Sequence, residues 1–295
     1  MSPRNMSPQD SKRRIGLDKR PPIPESICHE VRKRCGFVCV ICGCPLYEYH
    51  HMIPWAICKE HDPANLTTLC PTHHAQATSG LLDGKLIEKA NASNSRSISS
   101  PYALNFHGDN FIFRFAGTDW SSEGKPQRFD AIVIDDNPQI GCDFIDGKIL
   151  LNMIIFDNCQ NPILISNQGF VQYIVNYWDI KWSGRRLRLR DKPKHIRLDI
   201  EFIPPNLIYI RRGLFLLNGI AIQVFPNGIY CHNNGNQMRF GDSVGGDCEA
   251  GTAHQIALGF GYHHNSKTSA AVSMHGLKRY QSFDLFKSIK AIDIS

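Results

Sequence analysis

No apolar run in the sequence is long enough to span a bilayer as a helix, which sets a helical membrane protein aside. The opening stretch, MSPRNMSPQDSKRRIGLDKRPP, is basic and contains proline and serine but lacks the apolar core of a secretory signal, so a cytoplasmic setting is expected. No repeat is regular enough to demand a solenoid. Nor is there a disulfide framework: the eleven cysteines are odd in number, and several sit at metal-ligand spacing. That usage suits a reducing compartment. What remains is a chain of 295 residues, 42% hydrophobic and 20% charged, the composition of a globular protein of about two domains.

The net charge of +6 is unevenly placed, because residues 1–34 hold nine Lys and Arg against four acids. Such a patch attracts polyanions and speeds encounter with them; a solvated tail is the other reading. Residues 1–22 are expected to form a flexible basic arm. A short helix then runs from Glu25 to about Cys35, with Ile27 and Val31 four apart, Arg32, Lys33 and Arg34 in its last turn, and Gly36 as the stop signal. Phe37–Val40 and Pro45–His50 are expected as strands that bracket a turn at Cys39 and Cys42. Leu66 and Leu69 face a core, Pro71 opens a helix carrying His73 and His74, and Gly84–Asn91 forms one more helix. The polar run NASNSRSISS marks a linker at 93–101, dividing a metal-binding part at 23–92 from residues 102–295. That second part is a series of short β-rich runs such as FIFRF, ILLNMIIF and LFLLNGIAIQVF, broken by Gly, Asn, Asp and Pro. It predicts an all-β sandwich, barrel or solenoid, and an α+β chain overall.

The chemistry concentrates between Cys39 and His74. Cys39, Cys42, Cys70 and His73 read C-x2-C followed by C-x2-H, the donor set of a closed tetrahedral zinc site. Two such knuckles closing on one ion can hold a strand pair and a helix too small to have a core of their own. Ordinary buried thiols are the competing account. A second constellation is His50, His51, Asn65 and His74. Adjacent residues on a helix point about 100° apart, so His73 can face the zinc while His74 faces elsewhere. In the first turn of a helix the dipole disfavours an imidazolium and the amides attract phosphate, which makes His74 a natural neutral ligand for a catalytic divalent ion.

Tyr49-His50-His51-Met52-Ile53-Pro54, then Asn65 to Cys70, then His73-His74 resemble the HNH (ββα-metal) endonucleases, and most of all their cysteine-containing branch with a structural zinc. The resemblance covers about Ile23–Glu88. It implies a small zinc-stapled nuclease domain followed by the mostly-β region. It further implies that His51 is the general base, that His50 and His74 hold a divalent ion, and that Asn65 braces the loop and orients the base. His73 stands where other members have a fourth Cys, His50 where many have Asp, and Thr78 where some have a further ligand His. The histidine at position 50 softens the site, so Mn2+, Ni2+ or Zn2+ compete with Mg2+, the first expectation. The implied reaction is metal-assisted hydrolysis of phosphodiester bonds in DNA, with RNA as the alternative substrate. The implied cofactors are a structural Zn2+ and that catalytic ion.

Other features have plainer readings. Arg185 to Arg190 alternates arginine with leucine, a strand with one cationic face that serves either as edge protection or, through Arg186 and Arg188, as a track for a nucleic-acid backbone. Arg32, Lys33 and Arg34 are expected to contact the same polyanion. Asp135-Asp136-Asn137-Pro138 reads as a turn, His263-His264 as surface, and Trp178 and Trp182 as β-region core or rim. The competing function is a non-catalytic zinc-containing module that binds nucleic acid. A third idea makes the β-rich region a sensor, or an oligomerisation platform joining copies of the chain, that switches the nuclease on.

Overall fold

The computed structural model describes residues 20–93, 99–103, 105–107, 111–122, 126–173, 177–233, 236–240, 254–261, 268–274, 277 and 279. Most of the expected basic arm, the centre of the expected linker, and His263 and His264 lie outside the described residues.

Helix α1 (Glu25–Arg34) starts behind Pro24, whose extended backbone caps it. It ends in two left-handed residues, Gly36 and Phe37, and the Phe37 amide reaches back to the Arg32 carbonyl at 2.8 Å, closing the last turn. This overturns the strand expected at Phe37–Val40. A left-handed Phe37 cannot continue as a strand, and the following knuckle closes on itself, with Gly43 donating to Cys39 and Cys39 to Cys44, both at 2.8 Å. One ladder-like bond survives, from the Val40 amide to the Thr68 carbonyl at 3.0 Å. The second expected strand begins later, as β1 (Glu48–His51). After Pro54 come a single helical turn, α2 (Trp55–Cys58), and a 3-10 turn at Pro63–Asn65. β2 (Leu66–Leu69) then pairs antiparallel with β1, with His50 opposite Thr67 and His51 opposite Leu66. Helix α3 (Pro71–Thr78) follows immediately, its N-terminus capped by the Cys70 sulfur, and α4 (Gly84–Ala92) is capped by Asp83.

The rest is β-structure, as the alternating runs predict. One nine-stranded sheet is built on the meander Arg128–Ile134, Asn137–Ile145, Lys148–Phe156, Pro162–Asn167 and Phe170–Tyr173, extended by two parallel strands, His254–Phe260 and Thr268–Met274. The other carries the meander from Asp179–Ser183 through Arg186–Lys192, His195–Ile203, Leu207–Leu217 and Ile220–Phe225 to Gly228–Asn233 and Asn236–Phe240. Strand Lys148–Phe156 shows the cause in its side-chain alternation, with Ile149, Leu151, Met153 and Ile155 buried and the residues between them less so. The two sheets bury one shared core, which includes Phe129 and Leu151 from the first and Leu187, Ile200 and Ile222 from the second. Asp135 and Asp136 are the left-handed pair of a tight hairpin, as their sequence suggests.

The metal-binding part is joined to this core directly. Phe37 and Val38, fully buried, belong to the same apolar cluster as the two sheets. Beside them, Arg32 donates to both oxygens of Asp179 at 2.6 and 3.0 Å, and both side chains are out of solvent. Arg190 reaches the same carboxylate at 2.8 Å. Arg32 is therefore an internal strut and not a nucleic-acid contact, since a buried guanidinium saturated by a carboxylate has no donor to offer a phosphate. Arg34 bonds the carbonyls of Pro63 and Leu66, while Lys33 alone of the three is exposed.

Candidate active site

The first centre is held by β2, its turn into α3, and the knuckle. Cys39, Cys42, Cys70 and His73 offer one donor atom each, and the four lie within 4.8 Å of one another. Cys42 Sγ is 3.8 Å from Cys70 Sγ, while His73 Nδ1 lies 3.5 Å from Cys39 Sγ and 3.2 Å from Cys70 Sγ. With metal–sulfur bonds of about 2.3 Å and metal–nitrogen bonds of about 2.0 Å, a tetrahedron has edges of this size, so the donors fit a single ion. Burial raises the Cys39 thiol and pushes Cys42 up to about 12. Thiols in such surroundings ionise when a cation stands among them. Cys28, Cys35, Cys44 and Cys58 are not part of the cluster.

The second centre lies in a cavity of about 580 Å3, walled by His50, His51, Trp55, His74 and Arg20 among others. His50 comes from β1 and His74 from α3, and their rings meet edge to face with centroids 5.2 Å apart. Glu48 Oε2 stands 2.6 Å from His74 Nδ1. A carboxylate there accepts a hydrogen bond from Nδ1–H and leaves Nε2 bare for a metal, the usual arrangement behind a ligating imidazole. Two imidazoles at this separation would supply part of a coordination sphere to an ion placed between them.

His51 is the last residue of β1 and is nearly buried. The strand stops there, and the chain turns at Met52–Ile53 ahead of Pro54, which lets two successive histidines reach one cavity in spite of strand alternation. Its Nδ1 is 2.9 Å from Arg20 Nη2, and its Nε2 is 3.2 Å from His61 Nδ1. Burial first, then the charges of Arg20, His61 and His50, lower its pKa to about 4. His50 is lowered by burial and by His74. Asn65 accepts from the Ile53 amide at 2.6 Å and donates to the Ile53 carbonyl at 3.0 Å. It clamps the loop just after the strand, and its connection to His51 runs through that loop.

The structure thus brings His50, His51 and His74 to one cavity, with Asn65 behind the loop. Sequence reasoning missed His61, Glu48 and Arg20. Of these only Glu48 left a signal, standing two residues before His50, on the same face of a strand. Arg186 and Arg188 lie far along the β-region and share Asp199, Arg186 through bonds of 2.5 and 2.6 Å and Arg188 through one of 3.2 Å. Their strand is paired on both sides, which removes the edge-protection reading, and their charge is largely met within the sheet. Trp182 is core, stacked on Phe202 at 5.4 Å.

No helix among the described residues is long and apolar enough to cross a membrane. No curated protein and no solved structure matches the chain. Residues 34–80, which span the knuckle, β1, β2 and α3, match the family model described as HNH endonuclease. With its ββα order and a Cys3His cluster consistent with the zinc-containing branch, residues 34–80 of this chain form an HNH endonuclease domain.

Proposed function

We propose that the protein is a metal-dependent endonuclease that hydrolyses phosphodiester bonds in DNA, with RNA as the alternative substrate. The observation that carries this reading is the convergence of His50 and His74 on one cavity wall beside His51, inside the segment that matches the family. His50 and His74 would hold the divalent ion, Mg2+ foremost and Mn2+, Ni2+ or Zn2+ in competition with it. When bound, that ion would neutralise a phosphate oxygen and stabilise the departing 3′-oxygen. His51 takes the proton of the attacking water. The low pKa keeps the His51 ring unprotonated and free to accept at neutral pH, as a weaker base than one whose pKa lies near the working pH. Asn65 fixes the loop from which His51 projects. Cys39, Cys42, Cys70 and His73 would hold a structural Zn2+ that keeps the strand pair and α3 in register. In this reading residues 23–92 form the nuclease unit and residues 102–295 its β-rich companion.

The decisive experiment is plasmid nicking by the full chain with Mg2+, Mn2+, Ni2+ or Zn2+, beside His51→Ala. Loss of nicking in His51→Ala with an unchanged circular dichroism spectrum is the expected result. A wild type that cuts neither DNA nor RNA with any of the four ions would overturn the proposal. One observation favours a second reading, a non-catalytic zinc module that binds nucleic acid: both ring nitrogens of His51 are engaged by protein groups. That reading requires salt-sensitive DNA binding, unchanged in His51→Ala, and a single metal ion per chain.

A further inference from the structure

His51 stands at the centre of a hydrogen-bond chain whose two ends fix its direction. At one end is Arg20, 2.9 Å from His51 Nδ1. A guanidinium only donates, so Nδ1 must be the bare nitrogen of the ring. At the other end is the Pro21 carbonyl, 2.9 Å from His61 Nε2. A carbonyl only accepts, so His61 carries its proton on Nε2 and presents a bare Nδ1 to His51, 3.2 Å away. One polarity satisfies every link: Arg20 donates to His51, His51 Nε2–H donates to His61 Nδ1, and His61 Nε2–H donates to Pro21. Both imidazoles are neutral. Trp55 holds the geometry, stacked on His61 with centroids 4.6 Å apart and edge-on to His51 at 5.7 Å.

We propose that His61 is a positioning residue for the general base: it fixes His51 in the Nε2–H form, so that Nδ1, the atom Arg20 covers here, is the proton acceptor. The proposal rests on the nuclease reading for its catalytic meaning. In the reaction a water O–H bond breaks, the proton goes to His51 Nδ1, and the oxygen's electron pair forms the new bond to phosphorus as the P–O3′ bond breaks. The Nε2–H bond to His61 is kept throughout, so the imidazolium that forms already has an acceptor for its second proton. Without His61 the ring keeps only its bonds to Arg20 and to the Glu60 backbone, and the fraction of molecules aiming a lone pair at the water falls. Arg20 must leave Nδ1 before water takes its place, and a substrate phosphate is the natural group to draw a guanidinium away.

The test uses the full chain labelled with 15N at histidine, loaded with Zn2+ and Mg2+. His51 is assigned by loss of its signals in His51→Gln. The expected spectrum has a pyridine-type Nδ1 and a pyrrole-type Nε2 for His51. His61→Phe, which keeps the stacking on Trp55, is expected to lower kcat for plasmid nicking by about 10- to 100-fold with KM unchanged. His61→Asn, whose side-chain oxygen can accept from His51 Nε2–H, is expected to recover most of that loss. A His51 that carries its proton on Nδ1, or an unchanged kcat in His61→Phe, would overturn the proposal. Equal losses in the Phe and Asn variants with KM rising in step would also overturn it, because they would mark a structural role. The two readings separate cleanly. A wild type that cuts nothing yet shows the Nε2–H form removes the nuclease reading and leaves the hydrogen-bond chain standing; cutting with the Nδ1–H form does the reverse.

Discussion

At the scale of single residues the site is a matter of which nitrogen holds a proton. Because the pKa of His51 lies near 4 and not at the ordinary 6.5, the folded chain binds fewer protons there than the unfolded chain does. Its contribution to stability is therefore present above pH ~6.5 and is lost as the pH falls toward 4. The same shift sets the rate profile: kcat/KM for plasmid nicking should show no inflection at pH ~6.5 due to this base, with the acid limb lying below it. A limb at the ordinary imidazole value would count against the lowered pKa, because kcat/KM reports the free enzyme. Glu48 makes a second prediction. Glu48→Gln weakens the hold on His74 Nδ1, and metal affinity measured by calorimetry should fall by about 10- to 100-fold, while the Cys3His site keeps its ion. The Cys3His donors were readable because their meaning lies in short spacings, and the family resemblance was what drew His50, His51, Asn65 and His74 together. His61 was not readable, because its role exists only through a contact across a loop ten residues long. Arg20 was hidden for the same reason at thirty-one residues.

Among the elements, α1 shows where charge patterning misleads. Three consecutive cations in its last turn read as a phosphate-binding face, yet Arg32 turns inward to Asp179 and Arg34 to backbone carbonyls. The partner of Arg32 is 147 residues away in the chain, and local spacing carries no trace of it. A buried pair of this kind contributes little beyond an apolar substitute, but removing one member strands the other. Asp179→Ala should therefore cost about 3 kcal/mol, the lower end for a broken buried pair, seen as a lower midpoint in urea unfolding followed by circular dichroism, because Arg190 and Arg32 lose their shared carboxylate while Arg32 keeps Glu25 at 2.9 Å and Tyr49 at 3.3 Å. The reciprocal change, Lys33→Ala, touches an exposed side chain and should leave that midpoint within about 0.5 kcal/mol. The β-runs, by contrast, were legible almost strand by strand, because their alternation of buried and outward side chains is a period-two signal within one segment. The strand expected at Phe37–Val40 failed because apolar content alone does not reveal a left-handed backbone.

For the whole molecule the question is what holds the small part around the Cys3His cluster together. Its own clusters are slight. One is Cys39, Cys44, Leu69, Cys70 and Ile87; another is Val31, Cys35 and Leu66. Such a core falls short of what a domain this size needs without a metal. Chelation of the full chain is therefore expected to release the strand pair and α3 while the β-sheets keep their spectrum, so that limited proteolysis cuts between Cys39 and His74 first. Protection of that segment after complete metal removal would count against a structural ion.

Phe37 and Val38 carry a consequence for how this protein can change. The family match covers 34–80, and both residues lie within it, but they are buried with the β-sheets. An HNH segment transplanted from elsewhere would have to bring an apolar pair at those positions, the first of them left-handed. It would also need an arginine five residues before the first, to meet Asp179. The module is therefore not a free cassette in this chain, because its fit depends on the β-region it leans on.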